Sequence, residues 1–404
     1  MPAQRFACLI AQHPAINHAV ILREVRLLRE RFEIHTFSIR APDRPLEQLS
    51  QEERDEAKQT YYVKPSGAAG ATGALAATLV FRPGGFIRGC WYAMKLARFR
   101  PRQLALNLAY FAQAVMVGRW MRGLKLSHLH THYSSTVALL VHKTFGVEIS
   151  ISFHGPDEFN DPAGFWIREK VAACSFVRAI SHYARSQLMR LSAASDWEKI
   201  HVVYMGVDPG AFTARPFRPN PSPVEIICVG RLAPVKAQHI LIGAMEILVR
   251  EQLDVFLHVV GGGPDRAILE AEVAARGLGA KVRFHGFTPQ DQLEALYRGA
   301  DIFALPSFAE GVPGVLMEAM AMEIPCVSTS ITGIPELIRN GIDGLLVAPS
   351  DTEGFAAAIR QLVTDADLRR TIGQAGRIRV LEKFELRKNA PALAALFERY
   401  CMKG

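Results

Sequence analysis

The chain of 404 residues has no Cys-x-x-Cys pair and no His/Cys cluster at zinc spacing, so neither a disulfide framework nor a structural zinc site is expected to organise it. Its six cysteines, Cys8, Cys90, Cys174, Cys228, Cys326 and Cys401, are scattered among mostly apolar neighbours. They read as reduced core residues of a cytosolic protein. Long apolar runs are also missing. The longest uncharged stretches, 65–81 and 103–118, fall short of the roughly 20 apolar residues that a spanning helix needs. The first eighteen residues, MPAQRFACLIAQHPAINH, lack a sustained apolar run and a small-residue cleavage site, so no secretory leader is expected. No G-x-S-x-G elbow is present, which removes support for a serine hydrolase, and no G-x-G-x-x-G spacing occurs at the one glycine turn, Gly261-Gly262-Gly263. That turn is expected only to close a tight connection between strand and helix.

What is present suits a large folded protein. The chain is 49% hydrophobic and 21% charged, and its length suggests two domains of roughly 200 residues each. A net charge of +8 favours contact with phosphate, whether on a nucleotide, a nucleic acid or a membrane surface.

Short strand patterns alternate with longer helical ones throughout. Residues 6–11 are apolar, 19–31 carry Val20, Ile21, Val25, Leu27 and Leu28 at helical spacing, and 32–38 alternate like a strand. Further strands are expected at 127–133, 148–153, 176–181 and 202–205. Residues 206–223 hold five prolines and two glycines and read as a linker, after which the alternation begins again. The expected organisation is an α/β protein of two Rossmann-like, doubly wound domains: 1–205, then 224–385, with a helix at 386–404 packing back toward the first. Ligands of such sheets bind beyond the carboxyl ends of the strands.

Three segments carry candidate chemistry. In 306–321, PSFAEGVPGVLMEAMA, Glu310 follows a strand and Glu318 falls in the second turn of the next helix. Free amides near Gly314 and Val315 suit a diphosphate, and the carboxylates suit sugar hydroxyls rather than phosphate. A plain loop end and a surface glutamate explain the same letters equally well. In 229–236, VGRLAPVK, Arg231 and Lys236 offer a planar fork and a point charge to phosphate oxygens, or they are two solvated cations. His154, in the run Phe153-His154-Gly155-Pro156-Asp157, lies just past a strand and is within reach of a reacting centre, though a lone histidine is more often structural. Asp365-Ala366-Asp367 resembles a metal site only by its letters and reads as a solvated helix face.

Together G-R-x4-K, E-x7-E, the His-Gly after a first-half strand, and the runs Gly333-Ile334-Pro335-Glu336-Leu337 and Asp343-Gly344-Leu345-Leu346-Val347 resemble the family-4 retaining glycosyltransferases of the GT-B fold. Residues 14–28 and 130–133 resemble the subgroup that builds bacterial exopolysaccharides such as colanic acid. The resemblance implies a nucleotide-diphosphate sugar donor, a glycan or lipid-linked acceptor and retention at the anomeric carbon; with two cations and a helix N-terminus to serve the diphosphate, no metal or cofactor is expected. It implies that Arg231 and Lys236 hold the diphosphate and Glu318 the ribose. Glu310 would hold the sugar, with Val312, Gly314 and Val315 contacting sugar and phosphate through backbone. Phe287 and Thr288 would line the base, and His154 would touch the sugar. The 13–18 loop replaces the glycine-rich loop of many relatives. Its Asn17 is either a donor contact or the cap of the helix that follows. Pro313 stands where many relatives have glycine and has no amide to donate. A GT-B sugar-nucleotide epimerase and a non-catalytic glycan- or membrane-binding subunit are the alternatives, the latter disfavoured because the donor motifs are intact.

One more scarcity stands out. Residues 81–126 contain nine Lys and Arg and no acid, interleaved with Phe86, Trp91, Tyr92, Phe99, Tyr110, Phe111 and Trp120. The pattern is that of helices lying on an anionic membrane surface, or of a helical pair packed on the first domain with its arginines solvated. It carries no nucleic-acid motif, so nucleic acid is not an expected partner. The expected location is the cytoplasmic face of the membrane, peripherally bound.

Overall fold

The computed structural model describes residues 4–97, 100–288 and 290–401. The chain divides into two compact units, one of Met1–Val203 with Ala390–Gly404 and one of Tyr204–Asn389.

In the first unit, β1 (Gln4–Gln12), β2 (Phe32–Arg40), β3 (Tyr61–Tyr62), β4 (His128–His132), β5 (Glu148–Phe153), β6 (Cys174–Ala179) and β7 (Ile200–Val202) form one parallel sheet in the order β3-β2-β1-β4-β5-β6-β7. Parallel strands covered by helices on both faces need apolar residues at consecutive positions rather than alternate ones. β1 meets this need with Phe6, Ala7, Cys8, Leu9 and Ile10, all buried. Leu9 aligns with Phe37 of β2 on one side and Thr131 of β4 on the other. Helix Ala19–Leu28 buries Ile21, Leu22, Val25 and Leu28 against the sheet, as the 3.6-residue period of its apolar positions dictates. The C-terminal helix, Leu386–Cys401, brings Phe397 onto Phe6, with stacked rings 4.4 Å apart, and edge-on to Phe176.

In the second unit, β8 (Val224–Val229), β9 (Val255–Val260), β10 (Val282–Gly286), β11 (Ile302–Leu305), β12 (Cys326–Thr329) and β13 (Leu345–Val347) form a parallel sheet in the order β10-β9-β8-β11-β12-β13. Ile226, Cys228, Leu257, Val259, Ile302 and Val327 meet Leu241, Met245, Phe355 and Ile359 from the covering helices in one core. Each sheet reverses its winding once, between β1 and β4 and between β8 and β11. Those two points are where the chain leaves adjacent strand ends in opposite directions and opens a crevice.

Several local expectations change. The strand expected at 202–205 ends earlier, as β7 at Ile200–Val202. The proline-rich segment 206–223 belongs to the second unit, where Val207 and Phe212 are buried and Val207 exchanges backbone hydrogen bonds with Phe384 and Leu386. Asp365 and Asp367 are exposed, as expected of a solvated face, and Asp365 has a further role. It caps helix Ala366–Lys383, its carboxylate accepting from the Leu368 amide at 2.8 Å. The N-cap position of the helix that follows is His18, which makes no side-chain cap bond. Asn17 sits in the 3-10 turn Ile16–His18, and its side chain lies outside the described residues, as does Phe99 of the basic stretch.

Candidate functional site

The second unit's crevice is built by the loops that leave β8 and β11. After β8 the chain runs through Gly230 and Arg231 into the turn Pro234–Lys236, and after β11 it runs through Ser307 to Glu310 into helix Gly314–Ala321. The two loops are tied together twice. The Phe308 amide donates to the Val235 carbonyl at 2.8 Å, and Lys236 Nζ donates to Glu310 Oε1 at 2.5 Å. Glu310 is nearly buried and also accepts from the Ser307 hydroxyl at 2.7 Å. Its carbonyl accepts from Thr332 Oγ1, which anchors the loop to the chain beyond β12. This carboxylate is therefore neither a loop end nor free, but a fixed acceptor whose two donors come from both sides of the crevice.

Arg231 differs from Lys236 in having no hydrogen-bond or ion-pair partner among the described residues, and its side chain is exposed. Its backbone is held instead: its carbonyl accepts from Gln238 Nε2 at 3.0 Å. The glycine turn after β9 supplies the floor under this loop. A Cβ on Gly261 would stand 2.0 Å from the Gly230 carbonyl oxygen, and one on Gly263 would stand 2.1 Å from that of Leu232. Gly261 also has φ of +133°, where a side chain is strained. The Leu232 amide donates to Gly262 O at 2.9 Å across the approach. So the turn does more than close a strand-to-helix connection. It lets the arginine-bearing loop lie directly on neighbouring backbone.

Helix Gly314–Ala321 starts at Pro313, whose carbonyl accepts from the amides of Leu316 and Met317, and no side chain caps it. The amides of Gly314 and Val315 accordingly remain at the helix N-terminus, where the dipole favours an anion. One turn along, Glu318 accepts a 3.1 Å hydrogen bond from the hydroxyl of fully buried Tyr297. Burial pushes that phenol well above its usual range, and the Glu318 charge adds to the shift. Glu318 is thus oriented from beneath rather than a plain surface residue. Val312 is buried, while Phe287, just past β10, is exposed, and Thr288 donates to the Gly286 carbonyl. The crevice gathers Arg231, Lys236, Glu310, Val312, Gly314 and Val315. Phe287 and Thr288 stand at the end of β10, two strands from β8.

In the first unit His154 follows β5, and sequence reasoning missed most of its surroundings. The strand β4 reads His-Leu-His-Thr-His, so a two-residue period puts His128, His130 and His132 on one face. Ser150 and Ser152 of β5 answer them: His128 and His130 bond the Ser150 hydroxyl at 2.8 and 2.7 Å, and His130 bonds that of Ser152 at 2.9 Å. His132 Nδ1 lies 2.8 Å from His154 Nε2. Desolvation holds His130, His132 and His154 well below the usual imidazole value of 6.5 and His128 below it, so this array is neutral. The His154 amide donates to Glu158 Oε2 at 2.7 Å. At the switch point, Tyr133, held at φ of +61°, stacks between His18 and His154 with ring centroids 4.9 and 4.4 Å away. The alternating histidines were the visible signal, but a left-handed tyrosine leaves no mark in a sequence.

Known proteins agree with this organisation. Residues 213–379 match the family described as Glycosyl transferases group 1, and residues 88–211 match Glycosyltransferase Family 4. N-acetyl-alpha-D-glucosaminyl L-malate synthase of Bacillus anthracis is 30% identical over 279 residues, 65% of this chain and 72% of that protein. This chain belongs to the group 1 glycosyl transferases. Within the family it is similar to WcaL of Escherichia coli K12, named for colanic acid biosynthesis, at 39% identity over 42% of this chain and 44% of that one. It is similar also to the amylovoran biosynthesis glycosyltransferase AmsK of Erwinia amylovora, at 35% over 41% of this chain and 42% of that one. The matches span about half the length of these relatives. The fold is GT-B. A sucrose-phosphate synthase of Thermosynechococcus elongatus superposes with a TM-score of 0.76, at 19% identity, over 99% of this chain and all of that one. HepE of Anabaena in complex with UDP and glucose does so with a TM-score of 0.74, at 16% identity, over 98% and 100%. This group 1 glycosyl transferase places the residues of its motifs G-R-x4-K and E-x7-E around one switch-point crevice.

Proposed function

We propose that the protein is a retaining glycosyltransferase that moves a sugar from a nucleoside diphosphate to a glycan or lipid-linked acceptor in cell-surface polysaccharide biosynthesis. The observation that carries the reading is the convergence of Arg231, Lys236, Glu310 and the uncapped helix start at Gly314 on the crevice between β8 and β11. Two cations and a helix N-terminus complement a diphosphate, and their value rises as charge builds on the departing phosphate in the transition state. Glu310 then accepts from sugar hydroxyls, and Glu318, held by Tyr297, accepts from the ribose. Phe287 and Thr288 border the base, and backbone at Val312 and Val315 borders the sugar and phosphate. We assign Asn17 and His154 of the first unit to the sugar or acceptor.

The reaction breaks the bond between the anomeric carbon and the phosphate oxygen and forms one to an acceptor oxygen on the same face. The acceptor proton passes to the leaving phosphate oxygen, so no side-chain nucleophile and no metal is needed. The names of WcaL and AmsK support a role in exopolysaccharide assembly, and the UDP complexes of HepE support a nucleotide donor. The basic stretch supports a peripheral place on the cytoplasmic face of an anionic membrane. No helix among the described residues is long and apolar enough to cross a membrane.

The test is a thermal-shift screen of nucleoside diphosphates followed by incubation of the matching sugar nucleotide with and without acceptor lipid. Stabilisation by one base and acceptor-dependent product are expected; a ligand at a hundred times its dissociation constant adds about 2.7 kcal/mol. Product formed without acceptor would instead identify an epimerase.

A further inference from the structure

The basic stretch forms the helices Pro83–Leu96 and Pro101–Gly123, and helix Gly67–Phe81 leads into it. Most of its aromatic residues do not face outward. Phe86, Tyr92, Tyr110, Phe111 and Trp120 pack against the first unit's core, and Trp120 meets the paired rings of Phe37 and Tyr61. Two of its cations are likewise occupied: Arg88 Nε donates to the Lys143 carbonyl at 2.7 Å, and the Arg82 guanidinium lies over the Phe145 ring. Large apolar side chains and cations both remain outside, Leu106 and Leu108 of helix Pro101–Gly123 among the former. At the corner joining helices Gly67–Phe81 and Pro83–Leu96, Val80, Phe81, Ile87 and Trp91 are 70, 75, 64 and 56% exposed, with Leu79 beside them. Lys95, Arg100 and Arg102 are exposed on the chain that follows. From residue 57 to residue 147 the sequence has twelve Lys and Arg and not one Asp or Glu.

An isolated exposed leucine needs no explanation, but five large apolar side chains at one corner, within a stretch of sequence that has cations and no acids, do. Such a corner is costly in water and gains nothing from a nucleic acid, which offers charge without an apolar interior. A second copy of the chain would bring like charges together across a two-fold interface. An anionic bilayer satisfies both features at once, with acyl chains for the corner and headgroups for the cations.

We propose that the corner formed by Leu79, Val80, Phe81, Ile87 and Trp91 inserts into the acyl region of an anionic bilayer while Lys95, Arg100 and Arg102 contact its headgroups. This deepens the reading above and rests on it for a membrane as the working surface. Attachment thus has a salt-sensitive electrostatic part and a salt-resistant inserted part, carried by different residues.

The experiment uses the full chain and vesicles of phosphatidylcholine with or without phosphatidylglycerol. Flotation is measured against salt, and quenching of Trp91 by brominated acyl chains is read as the difference from Trp91→Phe. The parent is expected to float only with anionic vesicles and to show Trp91 quenching. The variant K95E/R100E/R102E should bind about a hundredfold more weakly, since each cation near the surface is worth about fivefold. The variant V80S/F81S/I87S should still float at low salt but lose quenching and most of its binding at high salt. UDP- or GDP-induced thermal stabilisation of every variant shows that it is folded, and loss of that shift in the parent would count against the nucleotide reading alone. Bound protein without Trp91 quenching, no binding to either vesicle, or a parent dimer that the serine variant converts to monomer would each overturn the insertion.

Discussion

Lys236 Nζ stands 2.5 Å from Glu310 Oε1, an ion pair that joins the loop after β8 to the loop after β11 across the switch point. Each member is the other's principal partner, yet the proposed function asks each for something else: the lysine for phosphate, the carboxylate for sugar hydroxyls. A donor must exchange one for the other, and this makes the two cations of the crevice unequal.

Lys236→Ala and Arg231→Ala are both expected to lower turnover by roughly 10²-fold or more, the scale of losing one preorganised charge contact in a transition state. Their stabilities should diverge. Removing Lys236 leaves the nearly buried Glu310 with a reduced donor set, a cost of about 2 kcal/mol. Removing the exposed Arg231 side chain, which has no partner among the described residues, should leave the melting temperature unchanged. Calorimetry beside steady-state kinetics checks both, and near-normal turnover in the two variants would sink the site.

Gly261→Ala places a methyl 2.0 Å from the Gly230 carbonyl oxygen at a φ of +133°. It should cost about 2 kcal/mol or more in stability and raise KM for the donor, because the backbone that must move carries Arg231. Gly262→Ala, where a Cβ has open space, is the control expected to melt like the parent.

Tyr297→Phe removes the hydroxyl that orients Glu318 without changing the ring. Nucleoside diphosphate affinity should fall by about tenfold, in keeping with one hydrogen bond to a charged acceptor, while the corresponding 2′,3′-dideoxy nucleotide should bind parent and variant alike. Isothermal titration with both ligands is decisive.

The buried histidines predict an acid-sensitive fold. In the native state the pKa values of His128, His130, His132 and His154 lie below 6.5, so as pH falls past 6.5 the unfolded chain binds protons first. Stability should be flat above about pH 7.5 and then fall with acidification, each histidine contributing up to about 1.4 kcal/mol per pH unit. His130→Asn should make denaturant-measured stability less steep between pH 6.5 and 5. An unchanged slope would mean the array is solvated.

If the leaving phosphate is served by cations and helix amides, EDTA should leave turnover intact. Complete loss with recovery on adding Mg²⁺ or Mn²⁺ would contradict the proposed electrostatics.

The periodic parts of the molecule were legible from residue order. The run Phe6, Ala7, Cys8, Leu9, Ile10, followed by an amphipathic helix and an alternating strand, reads as the first strand of a β-α-β unit, and the motifs around Arg231, Lys236, Glu310 and Glu318 sit where strands end because glycine and proline stop them there. Those signals are local, carried by neighbours in the chain. What tertiary structure alone decided are pairings between distant residues: Lys236 with Glu310, Tyr297 with Glu318, Tyr133 stacked between His18 and His154. It also sorted the basic stretch, sending Tyr110, Phe111 and Trp120 inward and leaving Phe81 and Trp91 outside. Charge and aromaticity are properties of a residue. Which face of a helix meets the core is set by how whole elements pack, and a sequence of alternating cations and rings is compatible with either side.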